Sequence, residues 1–486
     1  MKPVFRLLNE DIIKQIIAEA KEILWRLGLD MAHDGVRERL VAAGSVYDTD
    51  SKRLRISPDQ VDLALQDAPG SFCLYDALGK QTHDFSPGNV HFTPGSAALN
   101  ILDNASGKMR KPLTADYVQY AKVVSQLQHI ASQSTAFIPA DVPEAMSDSY
   151  RLYLSLRYCA KPVVTGAFTM ESFAVMRDMQ LIVRGDAQRL REKPLTIFSC
   201  CPTSPLKWSQ VTAQNLVDCA ENGIPVEFIS MPLCGFMAPV TLVGSVIQHT
   251  AETLSGLVIS QTVQPGTPIL YGGSPALFDI RYETTPMGAV ETQMIDCAYS
   301  EVGRYLNLPT QAYISLSDAK MLDAQAGLES AMGATLAALA GINNISGPGM
   351  LDFESCQSVK KLILDNEICG MALRLARGIE PREDFPSLPL FQQLLDDKHL
   401  LIADHSLRHR KLEHYLPGPV IDRSNHARWQ AEGALTLAER AGRQIDKLLA
   451  GYTPWAGDSM VKDLHARMAE EASSHGAKLP AAAACD

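Results

Sequence analysis

The feature that most constrains the fold is a short apolar phrase that recurs through the middle of the chain. It begins at a proline and ends on small or aromatic residues, and its proline lies 31 to 43 residues from the next one. The five copies are KPVVTGAFT (161–169), KPLTIFSCCP (193–202), IPVEFISMPLCG (224–235), TPILYGGSPALFD (267–279) and LPTQAYISLSD (308–318). Strands that are apolar throughout are typical of a parallel sheet buried on both faces. Proline at the first strand position costs no ladder hydrogen bond, which explains the shared opening.

Helical patterns lie between the copies, and the alternation extends in both directions. Apolar residues recur at three- and four-residue spacing after KPVVTGAFT, and a helix that ends at a glycine follows KPLTIFSCCP. Further strands are predicted within 89–103, 129–143 and 342–352. Eight β–α units predict an α/β fold, a (β/α)8 TIM barrel over residues 89–378. An open doubly wound sheet is the alternative, because sequence does not show closure, but no glycine-rich nucleotide-binding motif follows any strand.

The two ends of the chain differ from this repeat. Residues 1–88 predict an N-terminal cap, with helices in 9–28 and 33–44 and a β-hairpin in 71–85. Residues 379–486 predict a C-terminal helical extension whose last residues, 473–486, have no amphipathic pattern and are expected to fray.

Charge and cysteine content bear on location and partners. The net charge of −11 argues against nucleic acid and anionic membranes as partners. We expect a cytoplasmic protein, because no apolar run is long enough to span a bilayer and the first residues lack the apolar core of a signal peptide. The ten cysteines include no CxxC pair and are expected to be buried free thiols.

Barrel enzymes place their chemistry at the carboxyl ends of the strands, and here those ends are rich in aromatic residues. The aromatic residues are Phe92, Phe137, Phe168, Phe236, Tyr271, Phe278, Tyr282, Tyr313 and Phe353, and the titratable ones are Glu227, Asp279, Arg281, Glu283, Asp318 and Asp352. Each aromatic residue alone is explained by packing, but together they suggest a pocket for a cation without hydrogen-bond donors. Glu227 lies inside a buried strand, so it must either form an ion pair or face a polar cavity.

Other kinds of site have weaker support. His405 and His409 have metal-ligand spacing, but the surrounding basic residues favour a solvated helix face. Cys200 and Cys201 would suit a zinc thiolate site if the strand has ended before them, because neighbouring strand residues point to opposite faces. No Ser/His/Asp triad is evident. We predict no metal site.

Three segments resemble the trimethylamine methyltransferase family. They are TPGSAALNILDNASGKMRKPLTADY (93–117), SDAKMLDAQAGLESAMGATLAALAG (317–341) and GPGMLDFESCQSVKKLILDNEICGMALRLARGIE (347–380). The resemblance covers roughly residues 5–450. It implies a barrel enzyme that transfers a methyl group from an amine to the cobalt of a separate corrinoid protein.

One departure from the family narrows the substrate. Trimethylamine enzymes carry pyrrolysine in the barrel, whereas this chain has only standard residues. Relatives without pyrrolysine are similar to glycine betaine methyltransferase and imply substrates such as betaines and carnitine. A quaternary ammonium already carries the charge that lets a neutral amine leave, so attack by cob(I)alamin needs positioning more than acid–base chemistry. The alternatives are a zinc-dependent thiol methyltransferase of the betaine–homocysteine type and a non-catalytic betaine-binding protein.

The resemblance and the strand ends together predict a substrate site. Tyr271 and Tyr313, with Phe92 or Phe236, are expected to enclose the trimethylammonium group, and Glu227 to offset its charge. The substrate carboxylate is expected to contact Arg281 or His91. We expect no tightly bound cofactor and a corrinoid protein as partner. Self-association into a homo-oligomer is left open.

Overall fold

Eight short parallel strands form the centre of the computed structural model, which describes residues 3–481. Each predicted apolar phrase contributes one of these eight strands, because its β-branched and aromatic residues favour extended backbone. The strands are β1 His91–Thr93, β2 Gln133–Ser134, β3 Val163–Thr165, β4 Thr196–Cys200, β5 Val226–Phe228, β6 Ile269–Leu270, β7 Gln311–Tyr313 and β8 Asn344–Ser346.

The strands pair in chain order. Strands β2 to β6 form one parallel sheet, and β7, β8 and β1 form a second one in that order. Two hydrogen bonds join β6 to β7: Tyr271 N donates to Pro309 O at 2.8 Å, and Gln311 N donates to Tyr271 O at 3.1 Å. Ala131 N donates to Phe92 O at 2.8 Å and joins β2 to β1. Every strand therefore has hydrogen-bonded neighbours on both sides.

A helix follows each strand, as the sequence predicted, and the α/β class is confirmed. The main hydrophobic core lies between these helices and the strands. The helix Gln210–Asn222 ends at Gly223 in a left-handed conformation with φ 70°, which matches the predicted glycine cap. The helices are α1 Thr114–Val124, α2 Ser147–Tyr158, α3 Ser172–Arg184, α4 Gln210–Asn222, α5 Leu242–Val263, α6 Val290–Tyr305, α7 Ala324–Ala340 and α8 Val359–Ala376.

The N-terminal segment packs against α5 and covers the amino ends of the strands. Its helices are Glu10–Arg26, Asp34–Ala42 and Pro58–Asp67, and strands Cys73–Tyr75 and Gln81–Asp84 form the predicted hairpin. The third helix was not predicted, although Ser57 and Gln60 form a capping box at its start. In the hairpin, Tyr75 N donates to Pro194 O, and Leu74 and Phe85 pack against residues of β3, β4 and β6. The hairpin therefore closes the amino-terminal end.

The C-terminal segment is helical. Its helices are Leu388–Asp397, Asp404–Glu413, His426–Ala431, Leu437–Ala450 and Asp458–Ser474. The last two pack against α8 and α3 respectively. The predicted frayed end, 473–486, begins inside the last helix, and residues 482–486 lie outside the described part of the chain.

Candidate functional site

A cavity of about 230 Å³ opens at the carboxyl ends of the strands, where the sequence predicted the site. Ligand sites for drug-sized molecules span about 300–1,000 Å³, so this one suits a smaller molecule. Its lining includes Ser96, Thr135, Arg151, Phe168, Ser199, Cys201, Asn215, Ile229, Ser274, Tyr313 and Glu354. These residues come from all eight β–α units, the eighth through Glu354 in the loop after β8.

Glu227 is fully buried in the middle of β5. Ser199 Oγ donates to its Oε1 at 2.7 Å, and Asn344 Nδ2 donates to its Oε2 at 3.2 Å. Burial raises the pKa of Glu227 to about 7, although the two hydrogen bonds act in the opposite direction. Because this pKa lies near neutral pH, the carboxyl group can lose its proton and become negatively charged when a cation binds beside it.

Glu354 lines the cavity and brings a second carboxyl group close to Glu227, which is not itself among the lining residues. It lies in the loop after β8, where Asp352, Phe353 and Glu354 have φ angles of 51°, 56° and 69°. Three consecutive left-handed residues other than glycine are unusual and cost conformational energy, which functional sites often carry. The residue is half-buried, but its Oε1 is shut off from solvent and has no hydrogen-bond partner among the described residues. Burial, and then the charge of Glu227, raise the pKa of Glu354 to about 8.

Tyr313 completes this side of the cavity. Its ring is 6% exposed, and its hydroxyl lies 2.8 Å from Ser96 Oγ. Burial holds its pKa well above the usual value, and the charges of Glu227 and Glu354 act in the same direction. An aromatic ring and two carboxyl groups around one small space fit an organic cation.

The other predicted cage residues lie outside the cavity lining. The Tyr271 hydroxyl donates to Thr250 Oγ1 of α5 at 2.8 Å, so this ring packs between strand and helix. Phe92 lies on the face of β1 opposite Thr93, whose hydroxyl hydrogen-bonds to Asn344 Oδ1 at 3.0 Å. Phe236 is 64% exposed and stacks on Phe278 at 4.8 Å, on the rim of the mouth.

The two predicted carboxylate-binding residues also lie elsewhere. His91 is at the amino-terminal end, where its Nε2 lies 3.1 Å from Asp84 O and its ring contacts His83 of the hairpin. Arg281 is 76% exposed and forms an ion pair with Asp279 at 2.6 Å. The structure therefore brings Glu227 and Tyr313 together with Glu354, but not with His91 or Arg281.

The paired cysteines lie on opposite sides of β4. Cys201 lines the cavity, whereas Cys200 is buried beside Cys219 of α4. His405 and His409 share the exposed helix Asp404–Glu413, with ring centroids 4.9 Å apart. Across residues 3–481, no group of three or more His, Cys, Asp or Glu side chains is arranged to hold a metal ion.

Two charged residues of the cavity lining, Glu354 and Arg151, were not predicted from the sequence. Glu354 follows a glycine-rich turn, and an acidic residue in such a turn is usually exposed to solvent. Arg151 lies in α2 within SDSYRLYLSLRY, whose polar residues suggest a surface helix, yet its side chain is 1% exposed. The sequence did contain one indication for Arg151: the polar helix that carries it follows directly after a predicted strand end.

Comparisons with known proteins agree with this architecture. The model of the trimethylamine methyltransferase (MTTB) family matches residues 1–474. A glycine betaine methyltransferase of Desulfitobacterium hafniense is 29% identical, covering 94% of this chain and 95% of the relative. A trimethylamine methyltransferase MttB of Methanosarcina barkeri is 30% identical, covering 95% and 94%.

A solved structure is similar in fold. The crystal structure of the Methanosarcina barkeri monomethylamine methyltransferase MtmB superposes with a TM-score of 0.54 at 12% identity, covering 93% of this chain and 89% of that one. In the described residues, none of the helices combines the length and apolar character needed to cross a membrane. Because the family model matches nearly the whole chain and the relatives align over almost their full length, the chain belongs to the trimethylamine methyltransferase family.

Proposed function

We propose that this protein transfers a methyl group from a quaternary amine, glycine betaine or a related betaine or carnitine, to cob(I)alamin on a separate corrinoid protein. The observation that carries the proposal is that two neighbouring carboxyl groups with raised pKa values, the fully buried Glu227 and the half-buried Glu354, lie at the cavity that Glu354 and Tyr313 line. Two such groups are costly to bury without a cation. The names of the relatives support the same reaction class.

We also propose that the eight strands form a closed (β/α)8 barrel over residues 89–378, with 1–88 as a cap and 379–486 as a helical extension. The hydrogen bonds that link β1 to both β8 and β2 support closure over an open sheet. Closure matters for the chemistry because it lets side chains from distant strands converge on one axis.

The reaction needs alignment and a dry site. The lone pair of cobalt(I) forms a bond to the methyl carbon, and the electrons of the broken C–N bond stay on nitrogen. A neutral tertiary amine leaves, so the step needs no proton. Glu227, Glu354 and Tyr313 would hold the ammonium group and exclude water, and no resident cofactor is required.

The rim around the mouth supports a protein partner. Large apolar side chains are exposed on loops at the carboxyl ends of several strands, and such a ring is typical of an interaction surface. They are Leu99, Phe168, Phe236, Met237, Val240, Ile280, Tyr282 and Met321. We propose that the corrinoid protein docks on this rim, over the cavity.

We also propose that the methyltransferase itself is located in the cytoplasm. All nine of its described cysteines are free thiols, which favours a reducing compartment.

The proposal predicts methylcobalamin formation. The protein should convert cob(I)alamin to methylcobalamin with glycine betaine or another betaine, without added zinc, as followed by visible spectroscopy. Methylation of a thiol that a chelator abolishes would favour the zinc-dependent alternative. Betaine binding without turnover, even with the corrinoid protein added, would favour a binding protein.

Affinity for a quaternary ammonium compound should rise with pH through about 7 and about 8, the pKa values of Glu227 and Glu354. A cation binds the ionised carboxylates, so binding releases protons, and affinity gains up to about tenfold per pH unit for each proton released. Calorimetry in buffers of different ionisation enthalpy measures that release. A pH-independent affinity without proton release would contradict the assignment.

The ligand-free protein should show the opposite trend in stability. Both pKa values are raised above the usual 4.5, so the folded state holds protons that the unfolded chain releases. The contribution of these two protonated groups to the free energy of unfolding is complete below pH 4.5 and is lost as the pH rises through about 7 and about 8.

A further inference from the structure

We propose that Arg151 binds the carboxylate of the substrate, so that the site selects zwitterions over quaternary amines without an acidic group. The inference rests on the proposed function and concerns the same cavity. It assigns the carboxylate contact to a buried residue of α2 in place of the exposed Arg281 or the distant His91.

Arg151 is a buried cation at the cavity wall. Its side chain and that of Asp148 are 1% and 2% exposed, and Nη2 donates to Asp148 Oδ1 at 2.7 Å. Nε donates to Ser147 O at 3.2 Å, and Nη1 donates to Thr135 O at 3.1 Å. Among the described residues these bonds use three of the five N–H groups, so two are available to a ligand.

The guanidinium is held rigidly. Three acceptors from α2 and the end of β2 fix its plane, and the ring of Phe168 covers it at 5.2 Å. Phe168 also lines the cavity, with 57% of its side chain exposed. A planar, pre-oriented fork loses little entropy when it binds a carboxylate, which is why arginine is suited to this contact.

The cavity has the guanidinium of the Arg151–Asp148 pair on one side and carboxyl groups on the other. Arg151 and Phe168 belong to the β2–β3 side, whereas Glu227 and Tyr313 belong to β5 and β7. In the proposed ring of eight strands, β3 lies opposite β7. A small zwitterion would therefore place its ammonium group beside the carboxyl pair and its carboxylate beside the guanidinium.

The arrangement makes a prediction about ligand preference. A charge-assisted hydrogen bond to a buried arginine should favour glycine betaine over choline, which replaces the carboxylate with a hydroxymethyl group, by roughly 10- to 150-fold. Calorimetric titration of the wild-type protein with both ligands measures this ratio without any cobalt chemistry. Equal affinities would overturn the inference.

Variants of Arg151 test whether this residue causes the preference for glycine betaine over choline. Arg151→Met should lose that same factor of preference for glycine betaine over choline, and the two affinities are compared as a ratio because the substitution also leaves Asp148 without its partner. Arg151→Lys keeps the charge beside Asp148 but not the planar fork, so it should fold and still lose most of the preference. Arg184→Met is the matched control, because Arg184 is also a buried arginine of a neighbouring helix but binds the hairpin carbonyls of Tyr75 and Asp76.

The outcomes separate the two proposals. Preference for betaine that survives in both Arg151→Lys and Arg151→Met would overturn the role of Arg151 and leave the proposed function standing. If Arg151→Met does not fold, the lysine variant and the wild-type ratio decide. Failure of the wild type to bind any quaternary ammonium compound would overturn the proposed function, and this inference with it.

Discussion

Glu354→Gln should bind glycine betaine at least roughly thirtyfold more weakly than the wild type at a pH above about 8, where the native carboxyl group is ionised. The substitution keeps the shape of the side chain and removes the charge. Loss of a desolvated charge contact costs about 2 kcal/mol or more. Because Oε1 has no partner among the described residues, the variant breaks no hydrogen bond that the fold needs.

The pH dependence makes this test specific. Near pH 5.5 the native carboxyl group is protonated, so the variant and the wild type should bind with similar affinity. Glu227→Gln should behave in the same way, with its transition at the lower pKa of about 7. Glu283→Gln is the matched control, because Glu283 is an exposed acidic residue of the mouth that also has a positive φ. A folded Glu354→Gln variant with native affinity at high pH would remove Glu354 from the site.

Lys361→Met should lower the free energy of unfolding by about 3–5 kcal/mol, the usual cost of leaving one partner of a buried ion pair uncompensated. Lys361 Nζ lies 2.5 Å from Asp365 Oδ2, and both side chains are fully buried. Asp365 Oδ2 also accepts a hydrogen bond from Gly349 N at 2.6 Å. The pair therefore anchors the loop that carries Glu354, and its loss should weaken ligand binding as well.

Urea unfolding measures the effect. The double variant Lys361→Met/Asp365→Asn should recover most of the stability, because asparagine carries no charge but still accepts from Gly349 N. Lys360→Met is the control on the same helix, since Lys360 is partly exposed and donates to Asn104 O. We expect it to cost about 1 kcal/mol, the value of one hydrogen bond. A native unfolding midpoint for Lys361→Met would contradict the assignment.

The strand pattern was predictable because it is local. Each apolar phrase and its following helix is set by residues within about 30 positions, and the hydrophobic period alone distinguishes the two. Glu227 could also be found in this way. A carboxylate within the apolar run IPVEFIS must be buried, whatever the rest of the chain does.

The sequence of the same strands did not predict which side chains point into the cavity and which point toward the surrounding helices. Tyr271 and Tyr313 stand in equivalent phrases, yet Tyr271 packs on α5 while Tyr313 lines the cavity. Strands buried on both faces show no polar alternation, so nothing in their sequence tells the inner face from the outer one. The relative positions of the eight strands decide it.

By itself the sequence determined the α/β class, the positions of the strands and the burial of Glu227, because short-range periodicity and the cost of burying charge act on neighbouring residues. Only the tertiary structure decided that Glu354 and Arg151 line one cavity and that Glu354 lies close to Glu227. These two residues lie about 200 positions apart, one on a left-handed loop after β8 and one on α2. Their approach depends on how distant strands pair, which no local pattern encodes.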